Sequence, residues 1–368
     1  MSDTYDLDVS NTSALGRRHT LTYGADYRTT NYELDIAPAA ADRGEWGGFI
    51  EDEMRLGERL RWVLGARYDR VDPLDDAVWT PRTSLLIGLS PRRTLRVSYN
   101  EAFRTPSAIN SYLATSILQQ LGPYGVAAGA IGNPDLREEH LKAYEIGYVA
   151  TLSSGPMLTV AVYRNEIENS IDFFIRDLYG PANLPAPTPF LPAALVPCFS
   201  FAPGTGPGAC PFGGLAGLVP SDYSYRNLGG AVNRGLEFSL QGATDGWDWF
   251  VNVSWQDDPR ISGQGVDPAD VNVPPAWRAN LGLGRDTGNR FWSAEVNYQR
   301  EAYWADVLFA RASTPAFTQV NAAVGWRVAS DQWTVKLVAQ NLLDERVQQH
   351  IFGDLLGRKL AAEASYRL

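Results

Sequence analysis

Trp247–Gln256 reads WDWFVNVSWQ. Trp247, Trp249, Val251, Val253 and Trp255 fall on one face, and Asp248, Asn252, Ser254 and Gln256 on the other, with Phe250 the single exception. A period of two predicts a β-strand, because successive side chains of a pleated chain point to opposite sides. Tryptophan at both ends of the apolar face, with valine between, suits a strand that crosses a lipid band and meets an interface at each end.

The same alternation recurs around it. Leu60, Trp62, Leu64, Ala66 and Tyr68 alternate with Arg61, Gly65, Arg67 and Asp69. Trp292, Ala294, Val296 and Tyr298 alternate with Ser293, Glu295, Asn297 and Gln299. Val320, Ala322, Val324 and Trp326 alternate with Gln319, Asn321, Gly325 and Arg327, and Trp333, Val335, Leu337 and Ala339 with Thr334, Lys336 and Gln340. A soluble sandwich also alternates, but its strands average about 5–6 residues. Here the pattern holds for about 9–12 residues, the length a tilted strand needs to cross a bilayer. The face rich in Glu, Asn, Gln and Arg is then expected to line a wet lumen.

The connections have a cadence. Short polar turns lie at Ser90–Arg93, Leu152–Pro156, Ala243–Gly246, Arg285–Asn289 and Ala329–Gln332. Long stretches lie between them at Pro106–Leu136, Phe174–Asp222 and Asp257–Pro274. Short turns on one rim and long loops on the other predict an outer-membrane β-barrel. The reading gives about fifteen strands, near 4–12, 18–29, 44–56, 58–70, 79–90, 92–105, 138–152, 156–170, 223–243, 246–257, 276–285, 289–301, 316–329, 332–342 and 358–368. Long outer loops are expected near 106–137, 174–222, 257–275, 301–315 and 343–357, with no separate module.

Composition agrees with an all-β membrane wall. The 368 residues are 45% hydrophobic and 20% charged, and no apolar run approaches the roughly 20 residues of a membrane helix. Only alternate residues of a barrel face lipid, so bulk hydropathy hides it. Eleven Trp and 17 Tyr supply rings for interfacial girdles. The net charge of −10 argues against nucleic acid as a partner. Lysines are Lys142, Lys336 and Lys359 only, so arginine supplies nearly all of the 32 basic residues. Arginine forks suit the phosphates of lipopolysaccharide, though a GC-rich coding sequence is the simpler cause. Cys198 and Cys210 share one Gly- and Pro-rich loop; a disulfide is expected in an oxidising exterior, two free thiols being the alternative.

Four stretches carry a resemblance to the TonB-dependent outer-membrane receptors, in the later part of their barrel. They are Ser98–Ser107 (SYNEAFRTPS), Asn133–Tyr148 (NPDLREEHLKAYEIGY), Asn227–Glu237 (NLGGAVNRGLE), and Asn341–Leu368 with its NLLDE start and its GRKLAAEASYRL end. Asn341 ends a lipid-facing strand at a turn, where its amide can bond backbone groups, and Pro106 ends a strand. Leu360, Ala362, Ala364, Tyr366 and Leu368 share one face of the last strand. Leu368 departs from the aromatic residue that usually ends the family's chains.

The resemblance implies a 22-stranded barrel around a plug, with a signal peptide and a TonB-contacting segment ahead of it. About fifteen strands leave about seven and the plug unaccounted for, and Met1–Ser10 lacks a basic region and an apolar core. The chain therefore reads as the closing part of a receptor barrel, expected to form an open or forced-shut curved sheet without a plug. A plug built from Met1–Asp52 would contradict this.

The function the resemblance implies is energy-coupled uptake of a scarce solute such as a ferric siderophore, cobalamin or a glycan. Its expected partners are outer-membrane lipid, lipopolysaccharide, the small solute, and the TonB complex acting through the plug. Candidate ligand-binding residues on the outer loops and upper lumen are Arg104, Tyr112, Tyr124, Phe199, Phe201, Tyr223, Tyr225, Tyr303, Trp304 and Phe352. Loop aromatics and arginine suit planar or anionic ligands, and packing among loops is the simpler role for any one of them. A passive porin is the alternative, against which the length of the Phe174–Asp222 loop speaks. Enzyme activity is not expected. His19, His140 and His350 are the only histidines, none lies in a nucleophile motif, and no cofactor or metal cluster is indicated.

Overall fold

The computed structural model describes residues 2–40, 42–263, 271–305, 311–328 and 332–367. The first six strands are β1 (Ser2–Leu15), β2 (His19–Tyr32), β3 (Arg43–Arg55), β4 (Leu60–Val71), β5 (Val78–Ser90) and β6 (Arg93–Arg104). A short helix α1 (Ala108–Tyr112) and the pair β7 (Ala114–Leu121) and β8 (Tyr124–Ile131) follow. Next come β9 (Glu139–Thr151), β10 (Met157–Glu168), β11 (Ile171–Leu178), β12 (Pro220–Asn227), β13 (Gly230–Thr244), β14 (Trp247–Gln256) and β15 (Arg260–Ser262). The chain continues with β16 (Trp277–Asp286), β17 (Arg290–Gln299), β18 (Ala302–Ala305), β19 (Arg311–Thr314), β20 (Phe317–Val328), β21 (Trp333–Gln340) and β22 (Lys359–Tyr366).

One sheet dominates. Fifteen strands lie in the order β1-β2-β3-β4-β5-β6-β9-β10-β13-β14-β16-β17-β20-β21-β22, and short β15 extends the pairing of β13. Every neighbouring pair is antiparallel, which is the meander expected from the turn cadence. The turn Ala329–Gln332 falls almost wholly outside the described residues, as does Leu368. Residues 2–40 and 42–52 lie in the wall and its first long connection, and no plug-like domain is present among the described residues. The sheet is open: β1 pairs only with β2, and β22 only with β21.

Register keeps the two faces distinct across the whole wall. Val97, Ile146, Val162, Leu236, Trp255 and Trp277 form one unbroken cross-strand row of apolar residues. A one-residue slip in any pairing would carry that strand's polar face into lipid, so the lipid itself selects the register. Aromatic girdles close the apolar band at both levels. Trp46, Tyr68 and Trp79 cluster at the outer side, with centroids 5.4 and 4.9 Å apart. Trp247 with Trp292 (5.7 Å) and Trp333 with Tyr366 (4.9 Å) cluster at the short-turn side.

The lumen face is built from charges of both signs and from large residues laid over glycines. Phe250 lies across Gly282 and Phe291 across Gly325, where any Cβ would overlap the ring. Arg67 bridges Asp26 (2.7 Å) and Asp69 (2.6 Å). Glu51 pairs with Arg82, and Glu145 with Arg96.

The structure departs from the sequence reading at 223–243. That stretch is two strands, not one: β12 leaves the wall for a second sheet, and β13 returns to it. Leu228 and Gly229 make the break, Gly229 with φ 133°, a conformation costly for any residue with a Cβ. The second sheet has the order β11-β12-β8-β7, with β12 and β8 parallel. It draws together the loops expected near 106–137 and 174–222 into a small domain. Its core is Val126, Leu191, Cys198, Phe199, Leu215 and Val219.

Candidate functional site

The long-loop rim is assembled by side chains that grip backbone. Ser107 caps α1: its hydroxyl accepts from the Asn110 amide N–H, while the Asn110 side chain accepts from the Ser107 N–H at 2.9 Å. Arg43 reaches from β3 to donate to the Pro106 carbonyl (3.1 Å) and to Thr105, which holds the point where β6 leaves the wall. Asn133 donates through Nδ2 to the Tyr225 carbonyl at 3.0 Å, tying the first long loop to the second. Asn227 joins three strands of chain: its Oδ1 accepts from the Arg137 N–H (2.9 Å), and its Nδ2 donates to the carbonyls of Arg137 (3.0 Å) and Asn169 (2.7 Å).

Asn341 plays the same part at the last outer loop. It is buried at φ 53°, donates through Nδ2 to the Glu345 carbonyl (2.6 Å), and accepts the Glu345 N–H (3.1 Å). The backbone bonding expected of Asn341 is thus seen, while the matching roles of Asn133 and Asn227 were missed. Their signal was present: each stands at the head of one of the four quoted stretches.

The candidate residues fall into three groups. In the loop domain, Phe199 and Tyr223 are almost completely buried. Phe199 packs edge-on against Tyr179 at 5.6 Å, and Tyr223 stacks on Phe173 at 5.3 Å. The Tyr223 hydroxyl donates to Gln119 at 2.8 Å and that of Tyr179 to the Ala127 carbonyl at 2.7 Å. Burial pushes both phenols above their ordinary pKa. Tyr225 is half-buried beside Phe173 at 4.9 Å, also with its pKa raised by burial and, less, by Asp172. Tyr112 and Tyr124 are half-buried, and Phe201 borders on exposed. Cys198 and Cys210 are disulfide-bonded, Cα–Cα 5.5 Å, and the Cys198 carbonyl accepts the N–H groups of Phe201 (3.3 Å) and Leu215 (2.9 Å).

A second group forms beside β18. Val273 and Tyr303 exchange backbone bonds, and Trp304 packs edge-on against His350 at 4.5 Å. His350 lies 5.8 Å from the strongly exposed Phe352. This brings Trp304 and Phe352 to one imidazole, His350, a ring the candidate set omitted, while Tyr303 joins the group through its backbone. The third group is Arg104 alone, on the end of β6. It is exposed and ion-paired with Glu139, which also accepts the Ile171 N–H at 2.6 Å.

Below the rim the lumen face carries several hollows, two of which are large enough to matter for a solute. One, of about 580 Å³, is lined by Phe49, Glu51, Arg67, Asp69, Arg82 and Asn100. The other, of about 800 Å³, lies toward the short turns, with Phe250, Phe291, Glu295 and Arg327 in its lining. Both fall in the range of small-molecule sites. Arg67, Arg82 and Arg327 already hold carboxylates, so an anionic ligand at these three would have to displace an internal partner.

Residues 1–342 match the family model described as TonB dependent receptor-like, β-barrel. The chain belongs to that family. Solved structures with the same fold include the siderophore receptor PirA from Acinetobacter baumannii, with a TM-score of 0.69 at 15% identity over 99% of this chain and 54% of that one. A mutant of the ferric enterobactin receptor PfeA from Pseudomonas aeruginosa gives 0.68 at 17% over 99% and 53%. The FrpB iron transporter from Neisseria meningitidis gives 0.67 at 14% over 99% and 56%. An iron-regulated outer membrane virulence protein of Vibrio cholerae is 25% identical over 158 residues, 42% of this chain and 23% of that protein. The chain thus spans about half the length of the solved receptors and a quarter of the curated relative. As a TonB-dependent receptor barrel it sits in the outer membrane of a Gram-negative cell.

Proposed function

We propose that the chain forms wall and outer loops of a receptor for energy-coupled uptake of iron held in a small chelator, a ferric siderophore. The observation that carries this is the family match over 342 residues, joined to an outer rim where arginine and aromatic side chains stand on loops knotted by Asn133, Asn227 and Asn341. Similar structures named as ferric enterobactin and siderophore receptors support the choice of solute. Exposed Arg104 and Phe352, with half-buried Trp304 and Tyr225, present the cationic and planar surfaces that an anionic, aromatic-rich chelate fits. The receptor performs no chemistry on the iron; the metal arrives and leaves inside its chelator.

We read the wall as part of a larger closed barrel. An edge strand in lipid leaves on the order of ten backbone polar groups unpaired, at several kcal/mol each. That total is far above the roughly 5–15 kcal/mol stability of a typical protein. Pairing of β1 and β22 with further strands removes it. In this reading the TonB complex acts through a plug that such a barrel surrounds.

The test is uptake of radioactive iron, supplied as a ferric catecholate, by iron-limited cells with and without TonB, expressing the protein or not. Uptake that needs both supports the proposal. Uptake that persists without TonB would favour the passive channel, and a lack of any chelate-dependent uptake would remove the siderophore reading.

A further inference from the structure

The lipid-facing side of the wall carries a feature that solute transport does not use. Arg164 on β10 and Arg234 on β13 are direct cross-strand partners. Like charges placed opposite one another destabilise a sheet unless an anion lies between them. Arg164 has a partial partner in Glu166 at 2.6 Å on its own strand. Arg234 has no ion pair among the described residues. Asp257, whose N–H donates to the Arg234 carbonyl, turns its carboxylate to Arg260 at 3.5 Å.

The position of the pair matters as much as its charge. Tyr99 and Tyr144, whose rings lie 5.0 Å apart, continue the same cross-strand row, so the arginines stand at the level of the outer aromatic girdle. The next row toward the membrane centre is the apolar run of Val97, Ile146, Val162, Leu236 and Trp255. A groove of about 800 Å³ opens there on the lipid side, floored by Leu85, Val97, Ile146, Val162, Leu236 and Trp255, with Arg164, Arg234 and Asp257 at its outer end. Val162 and Ile146 are half exposed within it.

We infer that this groove binds a phosphate-bearing, multiply acylated lipid of the outer leaflet, of the lipid A class. The acyl chains would lie along the Val97–Leu236 row. A head-group phosphate would sit between the two guanidinium forks, whose planar donors match phosphate oxygens and whose mutual repulsion it cancels. A free anion would satisfy the arginines but leave the groove empty, and a neutral lipid would fill the groove but leave the arginines opposed. The inference rests on membrane orientation and not on which solute the receptor takes.

The test is native mass spectrometry of the full chain in mild detergent. The probes are hexa-acylated lipid A, the same lipid without phosphates, phosphatidylglycerol, and inorganic phosphate. Retention of lipid A at least about tenfold above the dephosphorylated form, and a similar loss on Arg164→Gln with Arg234→Gln, is expected from removal of forked phosphate contacts. Where that pair of changes prevents assembly, Arg164→Lys with Arg234→Lys keeps the charge and removes only the forks, and a reduced retention is again expected. Equal retention of lipid A by these variants would overturn the proposal. So would equal binding of phosphatidylglycerol, or of inorganic phosphate alone.

Discussion

In the wall, Ile50, Ile146 and Leu337 keep about half of their surface exposed to the surroundings, whereas Phe199, Leu191 and Leu215 in the loop domain keep almost none. The wall has no core of its own. Its apolar face is covered by lipid, and what binds strand to strand is a ladder of backbone bonds whose loss in hydrocarbon costs several kcal/mol per group. The loop domain stands in water and must bury its own apolar surface, which it does around a disulfide and a few large side chains. The comparison teaches that one alternating sequence style serves two solvents. What differs is which neighbour removes the apolar face from water.

The sharpest way to break that contrast is Phe199→Ala. Truncating a fully buried aromatic costs about 3–5 kcal/mol, which should melt the loop domain locally. Hydrogen exchange should rise in β7, β8, β11 and β12 while β14 and β16 stay protected. Equal loss of protection in the wall would show that the two regions fold as one unit.

Val251→Arg probes the other side. Val251 sits mid-strand on the lipid face, opposite Leu240 and Leu281. A cation at bilayer mid-depth costs about 2–4 kcal/mol. Assembly into outer membranes or lipid vesicles should fall, with loop-domain exchange in the assembled fraction unchanged. Unimpaired assembly would remove the assignment of this face to lipid.

A smaller effect is expected from alkali. Burial raises the folded-state pKa of Tyr179 and Tyr223 above the ordinary phenol value of about 10. Their contribution to stability is therefore complete below about pH 10 and is lost as pH rises through the folded values, since the unfolded chain ionises first. The loop domain should loosen in that window, read by exchange in β8 and β12, before the wall, whose ladder has no titrating member. Loss of both regions at one pH would contradict the separation.

Much of the wall was legible from local pattern. The alternation at Trp247–Gln256 placed its strand within a residue, and fifteen strands in the wall follow from the same period, because lipid demands an apolar residue at every second position. Asn341 was legible as a turn-bonding residue. The stretch 223–243 was not, since Tyr223 and Tyr225 alternate just as the wall does and only Leu228–Gly229 marks the departure. The aromatic candidates were legible as loop residues, but not as inner or outer ones: Phe199 and Tyr223 are packed inside, while Phe352 stands free of that core.

The sequence by itself determined the strand period, the lipid and lumen faces, the sides of the short and long connections, and the family. Those properties are set by residues close together in the chain and by a solvent that imposes the same rule on each strand. Only the tertiary structure decided that two loops share a sheet through β8 and β12, and that Arg164 faces Arg234. It also decided which loop rings are spent on a core. Each of these depends on pairing between segments far apart in sequence, where many partners satisfy the local pattern and closure selects one.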